Sequence, residues 1–139
     1  MSSPTYLLDT DTCSYIMKRT HPTLLDRIRE FAPGELKLSS ISVYELEYGV
    51  RRSNRHEQLT RVVEGFLANV EVLPLDAAAA LEAGAIRAEL AAAGSPIGAY
   101  DLLIAGHCRA LGATLITNNV REFSRVDALT VESWTTTSS

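Results

Sequence analysis

The stretch that decides the fold is Tyr6-Leu7-Leu8-Asp9-Thr10-Asp11, a short apolar run that ends in two acids. Three consecutive apolar residues are typical of a strand that is buried on both faces of a parallel sheet. The polar residues Thr10, Asp11 and Thr12 predict the N-cap of a following helix. Because ligands of open α/β sheets bind at the carboxyl ends of the strands, Asp9 is the first candidate for a functional side chain.

Strands and helices alternate along the rest of the chain. From short apolar runs bounded by turn residues we predict further strands at residues 36–39, 70–73, 114–117 and 131–134. Between them apolar residues recur at helical spacing, as in the amphipathic segment 56–67 and in the alanine-rich segment capped by Asp76. One helix is predicted to open with a capping box, with Ser42 at the N-cap and Glu45 at N3. This alternation predicts an α/β fold with three α/β/α layers and a central parallel sheet, formed by residues 1–139 as a single domain.

Composition limits the classes of protein that fit. A net charge of -4 argues against binding of nucleic acid through overall charge, although the arginine-rich turn 51–55 could hold a phosphate backbone or simply be solvated. Cys13 and Cys108 have no metal-type or disulfide-type spacing, so reduced, buried thiols are expected. No apolar run approaches the roughly 20 residues that span a bilayer, and residues 1–4 lack the basic start of a signal peptide. A cytoplasmic protein without membrane association is predicted.

Acidic residues follow several of the predicted strands. Asp9 follows the first, Glu45 lies after the second and Glu122 after the fourth, while Asp101 lies in the first turn of a helix behind a glycine-rich loop. If all strands run parallel, these side chains approach one edge of the sheet. Unit charges about 4 Å apart repel by about 4 kcal/mol at an effective dielectric of about 20. A divalent cation such as Mg²⁺ or Mn²⁺ offsets that repulsion and can activate water for attack on a phosphodiester.

Each acid also has a purely structural interpretation. Glu45 could only complete a capping box, Asp11 could only cap a helix, and Glu122 could be a solvated surface acid. Asp101 in a first helical turn is favoured by the helix dipole whatever its function. Asp9 is the hardest to explain in this way, because a carboxylate that directly follows a buried strand needs a partner.

Four further side chains are interpreted as structural. His107 is expected to pack against the sheet rather than bind a metal. Tyr44, Tyr48 and Tyr100 are expected to be core or interface aromatics rather than platforms for stacking bases.

Four segments together resemble the PIN domain, specifically the VapC-type toxins of bacterial toxin–antitoxin pairs. They occur in the family's order and spacing and span nearly the whole chain, at residues 6–13, 40–49, 97–107 and 117–123. The resemblance implies an Mg²⁺-dependent endoribonuclease, with Mn²⁺ as the alternative cofactor, that hydrolyses structured RNA such as tRNA or ribosomal RNA hairpins. It also implies a cognate VapB-like antitoxin that places a side chain, often arginine, in the acidic pocket. Homodimers and toxin–antitoxin hetero-oligomers are the implied assemblies.

By position, the resemblance assigns Asp9, Glu45, Asp101 and Glu122 as catalytic residues. Asp9 and Asp101 would be the main metal ligands, and Glu45 would either orient metal-bound water or support the ligands without binding the metal. Glu122 matches a fourth, more variable acid, and its longer side chain could act through a water. The supporting polar groups would be Thr10 and Asn119.

Two other functions fit part of the sequence. Asp9-Thr10-Asp11-Thr12 matches the D-x-D-x-T nucleophile motif of haloacid-dehalogenase-type phosphatases. That fold also needs a lysine toward the C-terminal half and a late acidic pair, whereas here Lys37 is the last lysine. A scaffold that only binds RNA or a partner would have no use for carboxylates gathered beside a polyanion. With the metal site assembled from distant segments, Asp9→Ala is expected to abolish cleavage and Asp11→Asn to be tolerated.

Overall fold

A parallel sheet forms the centre of the protein. The structure is a computed structural model that describes residues 4–135. Residues 1–3, on which the signal-peptide prediction partly rests, lie outside this range. Within it the sheet has five strands, in the spatial order β3-β2-β1-β4-β5, and every neighbouring pair is parallel. The strands are β1 (Tyr6–Leu8), β2 (Leu36–Ser39), β3 (Glu71–Leu73), β4 (Thr114–Ile116) and β5 (Thr130–Glu132).

Helices connect the strands and cover the sheet. The described residues form α1 (Thr10–Lys18), α2 (Pro22–Ile28), α3 (Ser40–Arg51), α4 (His56–Leu67), α5 (Ala77–Ala92), α6 (Ala99–Leu111) and α7 (Val120–Phe123). Among these helices none is both long and apolar enough to cross a membrane.

Two hydrophobic clusters lie on opposite faces of the sheet. Leu7 and Leu8 are both fully buried, and because successive side chains of a strand point to opposite faces, they enter different clusters. The Leu7 cluster includes Ile86 of α5 and Ile104 of α6, whereas the Leu8 cluster includes Leu46 of α3. Helices therefore lie on both sides of the sheet, and the predicted three-layer α/β/α fold is confirmed.

The start of α3 differs from the prediction. This helix begins at Ser40, directly after β2, and its N-cap is Ser39, whose Oγ accepts a hydrogen bond from the backbone N–H of Ile41 at 3.2 Å. The predicted capping box of Ser42 and Glu45 is therefore wrong. Glu45 lies in the second turn of α3, too far from the N-terminus to bond the capping residue.

The cap of α1 also differs. Asp9 itself is the N-cap, and its Oδ1 accepts a hydrogen bond from the backbone N–H of Thr12 at 2.8 Å. The prediction that Thr10, Asp11 or Thr12 caps this helix is wrong. Asp11 lies exposed in the first turn, where the helix dipole favours an acid.

The last strand is shorter than predicted and ends earlier, because the chain after it folds back into the core. Trp134 is buried, its ring stacks on Phe31 with centroids 5.4 Å apart, and its indole N–H donates to Glu132 Oε1 at 2.8 Å. β5 therefore covers Thr130–Glu132 instead of 131–134.

Candidate active site

Asp9 lies at the carboxyl end of β1 and is 4% exposed. Besides capping α1 through Oδ1, it accepts a hydrogen bond on Oδ2 from the hydroxyl of Thr117 at 2.5 Å. Burial raises the pKa of Asp9 above its usual range, while the hydrogen bonds from Thr117 and Thr12 oppose that increase. The carboxylate is thus held in one orientation, and its charge is only partly compensated by the protein.

Glu45, carried by α3, lies near the carboxyl ends of the same strands. The hydroxyl of Thr10 donates to Glu45 Oε1 at 2.6 Å, and the same hydroxyl lies 2.8 Å from Ser42 Oγ. Because the Thr10 proton is directed at Glu45, the Ser42 hydroxyl donates to Thr10. This chain of hydroxyl groups joins the start of α1 to α3 and orients the Glu45 carboxylate.

Asp101 and Glu122 form the other side of the site. Asp101 lies in the first turn of α6, and Glu122 lies in α7. The backbone N–H of Gly98 donates to Glu122 Oε1 at 3.4 Å, and the side-chain amide of Asn119 donates to Glu122 Oε2. A Cβ atom on Gly98 would lie 3.4 Å from Asp101 Oδ2, so a side chain at this position would be in van der Waals contact with the carboxylate.

The pKa of Asp101 is raised in part by the charges of the other three predicted acids. Burial and then the charge of Glu122 raise the pKa of Asp101 to about 7, with further contributions from a hydrogen bond to Glu122 and from the charges of Asp9 and Glu45. The structure therefore brings the four predicted acids into one electrostatic group.

A divalent cation suits this group by chemistry and by charge. The donors are carboxylate oxygens, which hard cations such as Mg²⁺ prefer, and a cation offsets their mutual repulsion. Within residues 4–135, no three Asp, Glu, His or Cys side chains already lie close enough together to hold a metal ion. Asp9 and Glu45 are instead turned toward protein hydroxyl groups, and Asp101 faces Glu122.

Thr117 and Ser42 were not predicted from the sequence as site residues. Thr117 is buried directly after β4 and bonds Asp9, while Ser42 is buried in the first turn of α3 and bonds Thr10. The available signal was their position, since each is a hydroxyl residue just beyond a buried strand. Asn119, expected as a supporting group, contacts Glu122.

The other candidate metal ligands and thiols lie inside the protein. His107 is 2% exposed, its Nδ1 lies 2.9 Å from Ser39 Oγ, and burial lowers the pKa of the imidazole. Cys13 and Cys108 are buried and unpaired, as predicted, and burial raises the pKa of Cys108 to about 12. None of these three residues reaches the acidic group through a hydrogen bond among the described residues.

Three tyrosines were predicted to be core or interface aromatics, and the structure excludes the core; a place at an interface stays a prediction. Tyr44, Tyr48 and Tyr100 are 52%, 61% and 44% exposed. Tyr44 of α3 and Tyr100 of α6 face each other, with hydroxyl oxygens 2.7 Å apart and ring centroids 5.1 Å apart. The hydrogen bond with Tyr44 and, to a smaller extent, the charge of Glu45 raise the pKa of Tyr100, so the tyrosine pair lies beside the acidic group.

Comparison with known proteins agrees with the fold. The model of the PIN domain family matches residues 6–129. The chain is 42% identical over 129 residues to the tRNA(fMet)-specific endonuclease VapC of Shigella flexneri, covering 93% of this chain and 97% of that relative. With the same coverage it is 41% identical to Ribonuclease VapC2 of Haemophilus influenzae. Among solved structures, DNA-bound VapBC from Salmonella typhimurium matches with a TM-score of 0.89 and 40% identity, over 95% of this chain and 99% of that chain.

The chain therefore belongs to the PIN-domain family, a family of nucleases that generally use a divalent metal. Its relatives across the whole chain are VapC ribonucleases, so it is an endonuclease that hydrolyses RNA. The predicted resemblance is confirmed. The phosphatase and scaffold alternatives are set aside, because the match spans the chain and not only the Asp9-Thr10-Asp11-Thr12 motif.

Proposed function

We propose that the protein is the toxin of a VapBC-type toxin–antitoxin pair and that it cleaves a structured tRNA in the cytoplasm with Mg²⁺ as cofactor. The observation that carries the proposal is that Asp101 lies within reach of the charges of Glu122, Asp9 and Glu45 near the carboxyl ends of the strands. Initiator tRNA is the first substrate to test, because a relative of 42% identity is named a tRNA(fMet)-specific endonuclease.

We assign Asp9 and Asp101 as the metal ligands, with Mn²⁺ as the alternative ion. A metal bound there would activate water and neutralise charge on the phosphate that is attacked. Asp9 is already fixed by Thr117 and Thr12, and Glu45 is oriented by Thr10 to accept a proton from the attacking water.

Glu122 has a different place in the proposal. It is held by Asn119 and by the backbone of Gly98, and it directly contacts Asp101. Its charge raises the pKa of Asp101 in the metal-free protein. We therefore infer that Glu122 increases the affinity of the site for a cation and positions Asp101.

The proposed partner is an antitoxin, as in the VapBC complexes of similar structure. Of the described side chains of α4 none is fully buried, and Val62 is 39% exposed. A groove of about 340 Å³ runs between α1, α3 and α4, lined by apolar side chains such as Met17 and Leu59, and it begins at Thr10 and Glu45. An antitoxin segment in this groove would reach the acids with a cationic side chain. Homodimers and toxin–antitoxin hetero-oligomers complete the proposal.

The test is RNA cleavage by purified protein freed of antitoxin. Initiator tRNA and total tRNA are incubated with and without Mg²⁺, and new 5′ ends are mapped. Cleavage at a defined position is expected, with 5′-phosphate and 3′-hydroxyl ends. Asp9→Asn and Asp101→Asn should each reduce the rate by about 10³-fold, the equivalent of several kcal/mol of transition-state stabilisation.

Asp11→Asn is the matched control, since Asp11 is an exposed acid two residues from Asp9. Its rate should stay within a few-fold of wild type. Cleavage that persists in the Asp9 and Asp101 variants would contradict the assignment of the site. A wild-type protein that cleaves no RNA in the presence of Mg²⁺ or Mn²⁺ would contradict the proposed function.

A further inference from the structure

The tyrosine pair beside the acidic group links α3 to α6. The Tyr44 and Tyr100 hydroxyls bond each other at 2.7 Å, although the two residues are 56 positions apart in the chain. The rings are tilted by 57° and remain about half exposed. An exposed tyrosine normally samples several rotamers, whereas this contact restricts both rings relative to the helices that carry Glu45 and Asp101.

The same side of α3 carries a second exposed aromatic residue. Tyr48 lies one turn beyond Tyr44, and the guanidinium carbon of Arg52 lies 5.7 Å from its ring centroid. Arg51 is paired with Glu47 at 2.9 Å. Tyr44, Tyr48 and Arg52 thus form a strip along α3, with the two aromatic residues followed by the cationic one toward the end of the helix.

An RNA substrate needs such a strip, because charge alone disfavours its approach. The chain carries a net charge of -4, and four carboxylates meet at the site. Stacking of a base on an aromatic side chain contributes about 1–3 kcal/mol and requires no cation. Unpaired bases in RNA loops are commonly bound in this way.

We propose that the Tyr44–Tyr100 pair is the platform on which an unpaired base beside the cleaved phosphate stacks. Tyr48 and Arg52 then receive the neighbouring nucleotide. This inference rests on the proposed Mg²⁺-dependent cleavage of structured tRNA and specifies how the substrate is positioned. RNA fits the strip better than the antitoxin does, because Tyr44, Tyr48 and Tyr100 do not line the apolar groove between α1, α3 and α4.

The first experiment measures RNA binding separately from cleavage. A fluorescein-labelled anticodon stem-loop of initiator tRNA is titrated in EDTA with wild type, with a Tyr44→Ala/Tyr100→Ala double variant and with the matching double Phe variant. The Ala variant should bind about 5- to 100-fold more weakly, the equivalent of about 1–3 kcal/mol at 1.4 kcal/mol per tenfold. The Phe variant keeps both rings and should stay within a few-fold of wild type. Leu81→Ala is the control, since Leu81 is an apolar side chain on α5 that is 76% exposed, and it should bind as wild type does.

Two further measurements identify stacking. With Mg²⁺, the Ala variant should raise KM by a factor like that for binding and leave kcat within about threefold. A stem-loop with 2-aminopurine at the cleavage site should lose fluorescence with wild type and keep it with the Ala variant. Unchanged RNA binding by the Ala variant, or equal weakening by the Phe variant, would overturn the platform. Normal binding with no Mg²⁺-dependent cleavage would contradict only the proposed Mg²⁺-dependent cleavage of tRNA.

Discussion

Asp9 combines a structural and a chemical task in one side chain. One oxygen caps α1 and the other is bonded by Thr117, so the carboxylate is rigid before any ligand arrives. An N-cap contributes about 0.5–2 kcal/mol to stability, while burial works against the charge and raises the pKa. For this reason Asp9→Asn, which retains a capping oxygen, tests the chemistry better than Asp9→Ala, which also removes the cap.

Thr117 positions Asp9, and we predict that its hydroxyl controls metal binding. Thr117→Val keeps the size of the side chain but removes the donor to Asp9 Oδ2. Loss of such a supporting hydrogen bond typically lowers metal affinity or activity by about 10–100-fold. The Mg²⁺ concentration that gives half-maximal cleavage should therefore rise.

Thr117→Ser provides the control for this prediction, because it restores the hydroxyl and should restore the metal dependence. If the Val variant has the same Mg²⁺ dependence as wild type, Thr117 serves only the fold. Melting temperatures of both variants show whether the effect is separate from loss of structure.

At the residue scale the sequence predicts the acids better than their partners. Asp9, Glu45 and Glu122 could be found because each follows a recognisable buried strand. The bond between Thr117 and Asp9 could not, since it joins residues 108 positions apart that meet only because β1 pairs with β4. Strand order is not encoded in local periodicity.

At the scale of elements, α5 and α6 depend on a glycine for their close contact. A Cβ atom on Gly106 would lie 2.5 Å from the backbone nitrogen of Ala83 and 2.6 Å from its Cα. The obstacle is helix backbone, so it cannot turn aside as a flexible side chain would. The two helices must separate if the residue is enlarged.

We predict that Gly106→Ala destabilises the protein by up to about 2 kcal/mol. Overpacking a core usually costs about 1–3 kcal/mol, and the gain of about 1 kcal/mol that alanine brings to a helix interior offsets part of that cost. Urea unfolding provides the measurement. Because α6 carries Asp101, cleavage should fall as well.

Gly65→Ala in α4 is the matched control, since a Cβ atom there meets nothing within 4 Å. It should leave stability unchanged or raise it. A Gly106→Ala protein as stable as wild type would mean that the two helices can move apart freely.

The elements themselves were predictable, because hydrophobic periodicity marks each of them, and α4 was predicted with its observed bounds. The exact boundaries between strands and helices were not predictable. Ser39, Ser40 and Ser42 are chemically similar, and only the point at which β2 ends decides which of them caps α3. The bend after β5 depends on burial of Trp134 against Phe31, a contact far apart in the chain.

At the scale of the molecule, the acidic group makes the metal-free protein sensitive to pH. The pKa of Asp101 is raised from 3.8 to about 7, so between these values the folded protein binds more protons than the unfolded chain. Stability from this group is present at low pH and is lost as pH rises through about 7. We predict that Asp101→Asn becomes increasingly more stable than wild type, both metal-free, as pH rises from about 4 to about 7.

Thermal unfolding of both proteins in EDTA across this range measures the effect. Adding Mg²⁺ at a pH above 7 should raise the melting temperature of wild type and leave Asp101→Asn nearly unchanged. A constant difference between the two metal-free proteins across the pH range would contradict the raised pKa.

The short joins between strands and helices, at β1–α1 and β2–α3, limit how the activity of the enzyme can be controlled. Only Asp9 separates β1 from α1, and β2 passes into α3 with no residue between them. Enzymes that gate their sites do so with connecting segments that absorb backbone rotation, and neither join has room for a hinge. The backbone positions of Asp9 and Glu45 are therefore fixed relative to the sheet, and neither of these two joins can act as a lid. An antitoxin that binds this fixed site, as proposed, would then set how long the nuclease stays inactive.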